Sequence, residues 1–398
     1  MYGLLVMLLP AAWAVVLLPV TSAPVAAVLI LAACLGAVYA VTRPRGGAVL
    51  GVTAAASAVT ALTGHMGVLL LAWLVSGAAL TVLVRREGGE TSGKPGRILE
   101  LQQHAASVFL FLVVAGSVTV TTGWAMPGVG GWRMSDGRIL ALLSGAGLAH
   151  GVGVWHTGAA VLLTATAALR LGLFPFPFSL RRSARRLQGF PLLMLLAVFL
   201  PASMIALLRL HVALHADSGS LLAASFGLLG CVALVTGALW LQVEWLAESV
   251  LGQVAQCHLG LALLGVGFGN PTLVTLVVVQ MAVAIVAGGM WTIRMRSLVQ
   301  TADLATAADG YARHRELGMW HMLFVVLAIP WPGTPGGQVW MAILGRSMAS
   351  GTGVGVLVLV GVVLLFCGLF RSIGKVCTRL RRDPAGDSRR ISPYGTMD

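Results

Sequence analysis

Residues 169–186 read LRLGLFPFPFSLRRSARR. Arg170 closes a run that is otherwise apolar, Pro175 and Pro177 alternate with phenylalanines, and Arg181, Arg182, Arg185 and Arg186 follow. In water such an arginine needs no comment. Inside hydrocarbon a charge is costly, and a helix is interrupted only where protein or a wet cavity satisfies the freed backbone. The meaning of this stretch therefore depends on its solvent, which composition decides.

The 398 residues are 58% hydrophobic and only 10% charged, against about 25% charged in an ordinary soluble domain. Apolar runs of roughly 18 or more residues recur along the chain, each long enough to cross a bilayer as a helix. The sequence is that of an all-α polytopic membrane protein. Its opening, MYGLLVMLLPAAWAVVLL, has no basic region ahead of the apolar core, so it reads as a first spanning helix and not as a signal peptide. Run length and loop charge place spans near 3–20, 24–42, 47–63, 66–84, 105–124, 157–176, 190–210, 219–240, 250–268, 271–292, 317–332 and 353–371. That makes about 12 transmembrane helices with both termini cytoplasmic, and leaves the apolar segment 139–153 as re-entrant or lateral.

The net charge of +13 resides in short loops and the tail, the pattern that orients membrane helices with basic loops in the cytoplasm. Aromatic residues do not interleave with these arginines, which argues against nucleic acid as a partner. Lipid headgroups are the natural partner of the tail. The five cysteines have no ligand spacing, and neither a dinucleotide fingerprint, a phosphate loop nor an H-E-x-x-H motif occurs. No metal, no cofactor and no catalytic site of the chain's own are expected.

Ionisable residues at membrane depth are the functional candidates. Arg170 ends a span. Glu244 and Glu248 stand one turn apart at a helix junction, His258 follows in the next span, and His150 and His156 flank segment 139–153. The competing readings are a solvated junction for the two glutamates and polar contacts between helices for His156 and His258. Arg209, His211 and His215 read as snorkelling at an interface.

Segment 170–177, RLGLFPFP, resembles the K-x-A-Q-F-P-F-H motif of antiporter-like proton-translocating membrane subunits. These occur in NADH–quinone oxidoreductase, multi-subunit sodium/proton antiporters, membrane hydrogenases and DAB-type inorganic-carbon accumulators. The resemblance continues in order. GVLLLAWLVSG (67–77) is similar to a W-E-L-x-G helix, and FPLLMLLAVFLPASMIALLRL (190–210) to a helix ending in L-x-R-L. WLAESVLGQVAQCHLGLALLGVGFGN (245–270) carries Cys257-His258-Leu259-Gly260 on S-Q-L-G, and VVVQMAVAIVAGGM (277–290) is similar to an H-A-x-F-K-A-x-L-F-L-x-A-G-S helix. DLATAADGYAR (303–313) and LAIPWPGTPGG (327–337) complete the series, which spans residues 65 to 340.

The resemblance implies inverted five-helix repeats with discontinuous helices. It gives a division into 1–63 (N-terminal helices), 64–210 and 211–340 (the repeats), 341–374 (a last transmembrane helix) and 375–398 (a basic tail). Broken-helix positions fall on Pro175 and Pro177, and again at Gly288-Gly289 or around Pro330 and Pro332. The family's central lysine falls on Arg170. Its other charged positions fall on Leu74, Ala197, Ser203, Glu248 and Gln280, so the row of titratable groups is depleted. An arginine does not release its proton near neutral pH. A rerouted path would have to use Glu244, Glu248, His150, His156 and His258.

The implied function is an ion-coupling subunit of a larger complex in the inner membrane. The branch with a soluble zinc-containing, carbonic-anhydrase-like partner suits the abbreviated form. The alternative is a non-conducting anchor of a respiratory-type complex.

Overall fold

The computed structural model describes residues 44–63, 66–87, 93–122, 149–173, 177–304, 306–329, 331 and 335–380. Helices α1 (Pro44–Leu62), α2 (Met66–Glu87), α3 (Gly93–Thr122) and α4 (Ala149–Arg170) come first. The short amphipathic α5 (Pro177–Arg186) leads into α6 (Phe190–Leu193), a π turn (Met194–Phe199) and the long α7 (Leu200–Val243). Then follow α8 (Ala247–Gly267), α9 (Pro271–Val299), α10 (Ala308–Arg313), α11 (Arg315–Ala328), α12 (Pro335–Ser350) and α13 (Thr352–Leu380). Among the described residues the only extended pairing is an isolated bridge between Leu246 and Asp303.

Among the described residues six stretches are long and apolar enough to cross a membrane: Gly67–Arg86, Phe190–His211, Leu221–Val243, Ala247–Gly267, Pro271–Val299 and Thr352–Val376. The chain is a multi-pass helical membrane protein. Expected spans 3–20 and 24–42 lie outside the described residues, as do most of 139–153 and the tail beyond 380. Helix α11, where a span over 317–332 was expected, has 14 residues. At ~1.5 Å per residue that is about 21 Å, short of a hydrocarbon layer of about 30 Å.

Three local expectations give way to the structure. The loop expected between 210 and 219 is helical, because HVALHADSGS contains no proline and its one glycine costs a helix only about 1 kcal/mol. Helix α9 runs unbroken through Gly288-Gly289, where Phe324 and Leu193 fill the space that Cβ atoms would need. Helix α12 was not anticipated at all, because its glycines and Arg346 break the apolar signal.

Two spans form the centre. Phe190–His211 is wholly buried and Ala247–Gly267 is 94% buried, whereas only 39% of Thr352–Val376 is covered. Helices α7 and α8 cross closely, so that a Cβ on Gly260 would stand 2.7 Å from the carbonyl oxygen of Gly230. Small residues admit backbones to that distance. The π turn has a local cause. Pro201 lacks an N–H and its ring crowds the carbonyl four residues back, so the chain widens and the Leu200 N–H bonds to Leu195 instead.

Candidate functional site

The prolines do not end the helix that carries Arg170. Gly172 does. It adopts φ +66°, the Leu173 N–H bonds to the carbonyl of Ala168 at 2.8 Å and the Gly172 N–H to that of Leu169 at 3.3 Å. These paired bonds form a Schellman stop, with Leu173 buried beneath it. Pro177 then opens α5, where its missing N–H costs nothing. Pro175, Pro330 and Pro332 lie outside the described residues.

The stop leaves Arg170 at the last position of α4 with its side chain 1% exposed. Its Nε donates to Ser203 Oγ (3.2 Å), Nη1 to Gln103 Oε1 (2.9 Å) and Nη2 to Ser76 Oγ. The guanidinium carbon lies 4.3 Å from the centre of the Trp73 ring and 4.2 Å from that of Phe199. A methyl group on Gly77 would meet Nη1 at 2.7 Å, so only glycine leaves room there. Among the described residues no carboxylate pairs with this cation.

Depth follows from the partners. Ser76 is central in the span Gly67–Arg86, and Phe199 and Ser203 flank the middle of Phe190–His211. At ~1.5 Å per residue, Arg170 lies about 15 Å from either surface. Leu74, on which the family's glutamate falls, is 49% exposed on the outer face. The positions that face the guanidinium are occupied by serine and glutamine.

A second cluster sits at the rim. Glu244 ends α7 in an extended conformation and is buried between two α5 arginines, Arg181 Nε at 2.8 Å and Arg185 Nη2 at 2.9 Å. Burial pushes its carboxyl up, but Ser249, Arg185 and Arg181 outweigh that effect and hold it below its ordinary value. Arg181 also lies 4.2 Å over the Trp240 ring, and Lys375 of α13 lies 4.4 Å over Trp245 and donates to the Glu244 carbonyl. Glu248, in the first turn of α8, pairs instead with Arg296 of α9. The expected shared face of Glu244 and Glu248 does not exist, because residues 244–246 break the helix between them. The same break removes the phase that would have placed His258 beside them.

His258 is 1% exposed and its Nδ1 is 2.9 Å from the carbonyl of Val254 in its own helix. His150 and His156 lie in the first turns of α4, their side chains outside the described residues. Arg209, near the end of its span, donates to the carbonyl of Ala61 at the end of α1 (2.9 Å), and His211 packs edge-on against Phe226. Sequence reasoning missed His321. The Trp291 indole donates to Tyr311 Oη (2.6 Å), Tyr311 lies 3.3 Å from His321 Nδ1, and His321 Nε2 is 3.0 Å from Ser372 Oγ. Ser372 donates onward to Leu369, an arrangement that a neutral histidine with its proton on Nε2 satisfies. A histidine on α11 on the same face as Phe324, three residues before it, was the available signal. Among the described residues no group of three or more metal-ligating side chains is assembled.

No family model matches the sequence, and no curated protein does. Solved structures do. A chain of respiratory complex I from Thermus thermophilus with bound aureothin matches 88% of this chain and 76% of its own length, with a TM-score of 0.65 at 18% identity. A chain of the membrane-bound sulfane sulfur reductase, an archaeal respiratory membrane complex, matches 89% and 72%, with a TM-score of 0.74 at 14% identity. A chain of the Mrp complex from Dietzia sp. DQ12-45-1b matches 88%, with a TM-score of 0.70 at 16% identity, and there this protein spans 39% of the partner's length. The chain has the fold of membrane subunits of respiratory and Mrp complexes. At these identities the likeness is one of fold.

Proposed function

We propose that this chain is an antiporter-like membrane subunit that works inside a multi-subunit complex, and that it serves as a non-conducting anchor at the level of its first repeat. The supporting observation is Arg170. A desolvated lysine can give up and regain a proton, whereas a guanidinium held by three neutral side chains and two aromatic faces is a fixed cation. Of the remaining titratable candidates, those with described side chains do not join it. Glu244 and Glu248 are closed by arginines at the rim, and His258 is bonded to its own backbone. Repeats over 64–210 and 211–340, with α4 and the gap between α11 and α12 as their discontinuous elements, fit this reading. So does an inner-membrane orientation with the α5 arginines and both termini cytoplasmic.

The second reading is ion coupling in a DAB-type inorganic-carbon system with a zinc-containing, carbonic-anhydrase-like partner. The buried histidines His258 and His321 favour it, as the groups in the core that could carry protons. Purification in mild detergent from the native host, followed by reconstitution and a pH-sensitive dye assay, separates the two. The anchor reading expects co-purifying subunits and no proton flux through this chain. Flux that disappears in His258→Gln or His321→Gln, with a zinc-bearing partner present, overturns it.

A further inference from the structure

A guanidinium has five N–H donors, and Arg170 engages three of them with neutral oxygens. Aromatic faces cover both sides of the plane. Cation–π contacts strengthen when desolvated, but they offset only part of the cost of taking an ion out of water. These contacts soften the burial of the charge, and among the described residues no carboxylate compensates its sign. Beside the guanidinium lies a narrow cavity, lined by Gln103, Gly172, Ser183 and apolar side chains, with room for about one water molecule. The indole N–H of Trp73, whose ring stacks on the guanidinium, is buried without a hydrogen-bond partner.

We infer that this cavity binds a single small monovalent anion of halide size, with Arg170 as its counter-charge. Its dimensions exclude sulfate, phosphate and organic carboxylates. Its depth in the membrane excludes a lipid headgroup. Helix α5 lines the cavity with Ser183, and its Arg181 and Arg185 share the single carboxylate of Glu244, which leaves that cluster net positive and favours anions at the rim. The inference rests on the burial of Arg170 and not on whether the subunit conducts.

Thermal unfolding of the full chain in mild detergent, titrated with sodium chloride against sodium gluconate at constant ionic strength, tests it. The wild type is expected to show a saturable rise in midpoint with chloride and with bromide, and none with gluconate or sulfate. Gln103→Glu puts a carboxylate of the same size 2.9 Å from Nη1, supplies the missing charge from within, and is expected to weaken the chloride response at least tenfold. Arg170→Gln is expected to abolish it; should that variant fail to fold, Gln103→Glu carries the test. Equal midpoints in chloride and gluconate for the wild type mean that the cavity holds only water and overturn the inference. An undiminished chloride response in Gln103→Glu places the anion elsewhere and overturns it as well.

Discussion

At the rim, Glu244 lies between Arg181 and Arg185, opposite charges in direct contact. At mid-membrane, Arg170 has two aromatic rings, two serines and a glutamine, and among the described residues no opposite charge. Both places bury a charge almost completely, and both use side chains from several helices. They differ in what removal of one group leaves behind. Deleting the rim carboxylate strands two cations facing each other. Deleting the mid-membrane cation strands no charge at all. Depth alone therefore does not rank the two sites; the charge that would remain does.

That ranking can be broken by measurement, most readily by unfolding in mild detergent. The largest effect is expected for Glu244→Ala. Loss of one partner of a buried pair costs 3–5 kcal/mol, and the partial exposure of Arg185 reduces this to about 2–3 kcal/mol. Gly77→Ala comes next, at about 1–3 kcal/mol, because the added methyl group meets a guanidinium pinned between two rings. Arg170→Met is expected to cost about 1–2 kcal/mol. Ser76 and Ser203 keep their bonds to the carbonyls of Trp73 and Phe199, so only the Gln103 oxygen loses a partner. A larger loss for Arg170→Met than for Glu244→Ala reverses the comparison.

The smallest effect is the pH dependence of the rim. The Glu244 carboxyl is held below its ordinary value in the folded chain. Its contribution is therefore complete above the unfolded value of about 4.3, and is lost as pH falls through the lower folded value. Wild-type stability should drop below about pH 4 more steeply than that of Glu244→Gln. Parallel curves for the two proteins would remove Glu244 from the account.

Arg170 could be singled out in the sequence because a charge inside an apolar run has few explanations. Its partners could not. Ser76, Gln103 and Ser203 are ordinary residues in three separate helices, and nothing in their spacing announces that they converge. The helix stop was visible as a disturbance, but it was ascribed to the prolines when Gly172 makes the left-handed turn that ends α4. Glu244 and Glu248 were legible as a pair in sequence. The non-helical step 244–246 sends one to α5 and the other to α9. His321 escaped notice because its partners come from α9, α10 and α13.

The sequence by itself determined the solvent, the helical class and the presence of a lone cation at depth, because hydrocarbon penalises charge and unsatisfied backbone at every residue, whatever the packing. Only the tertiary structure decided that this cation faces neutral oxygens and aromatic rings while the carboxylates face arginines. Which side chains meet depends on helix phase and on the approach of distant segments, and single breaks such as 244–246 reset that phase.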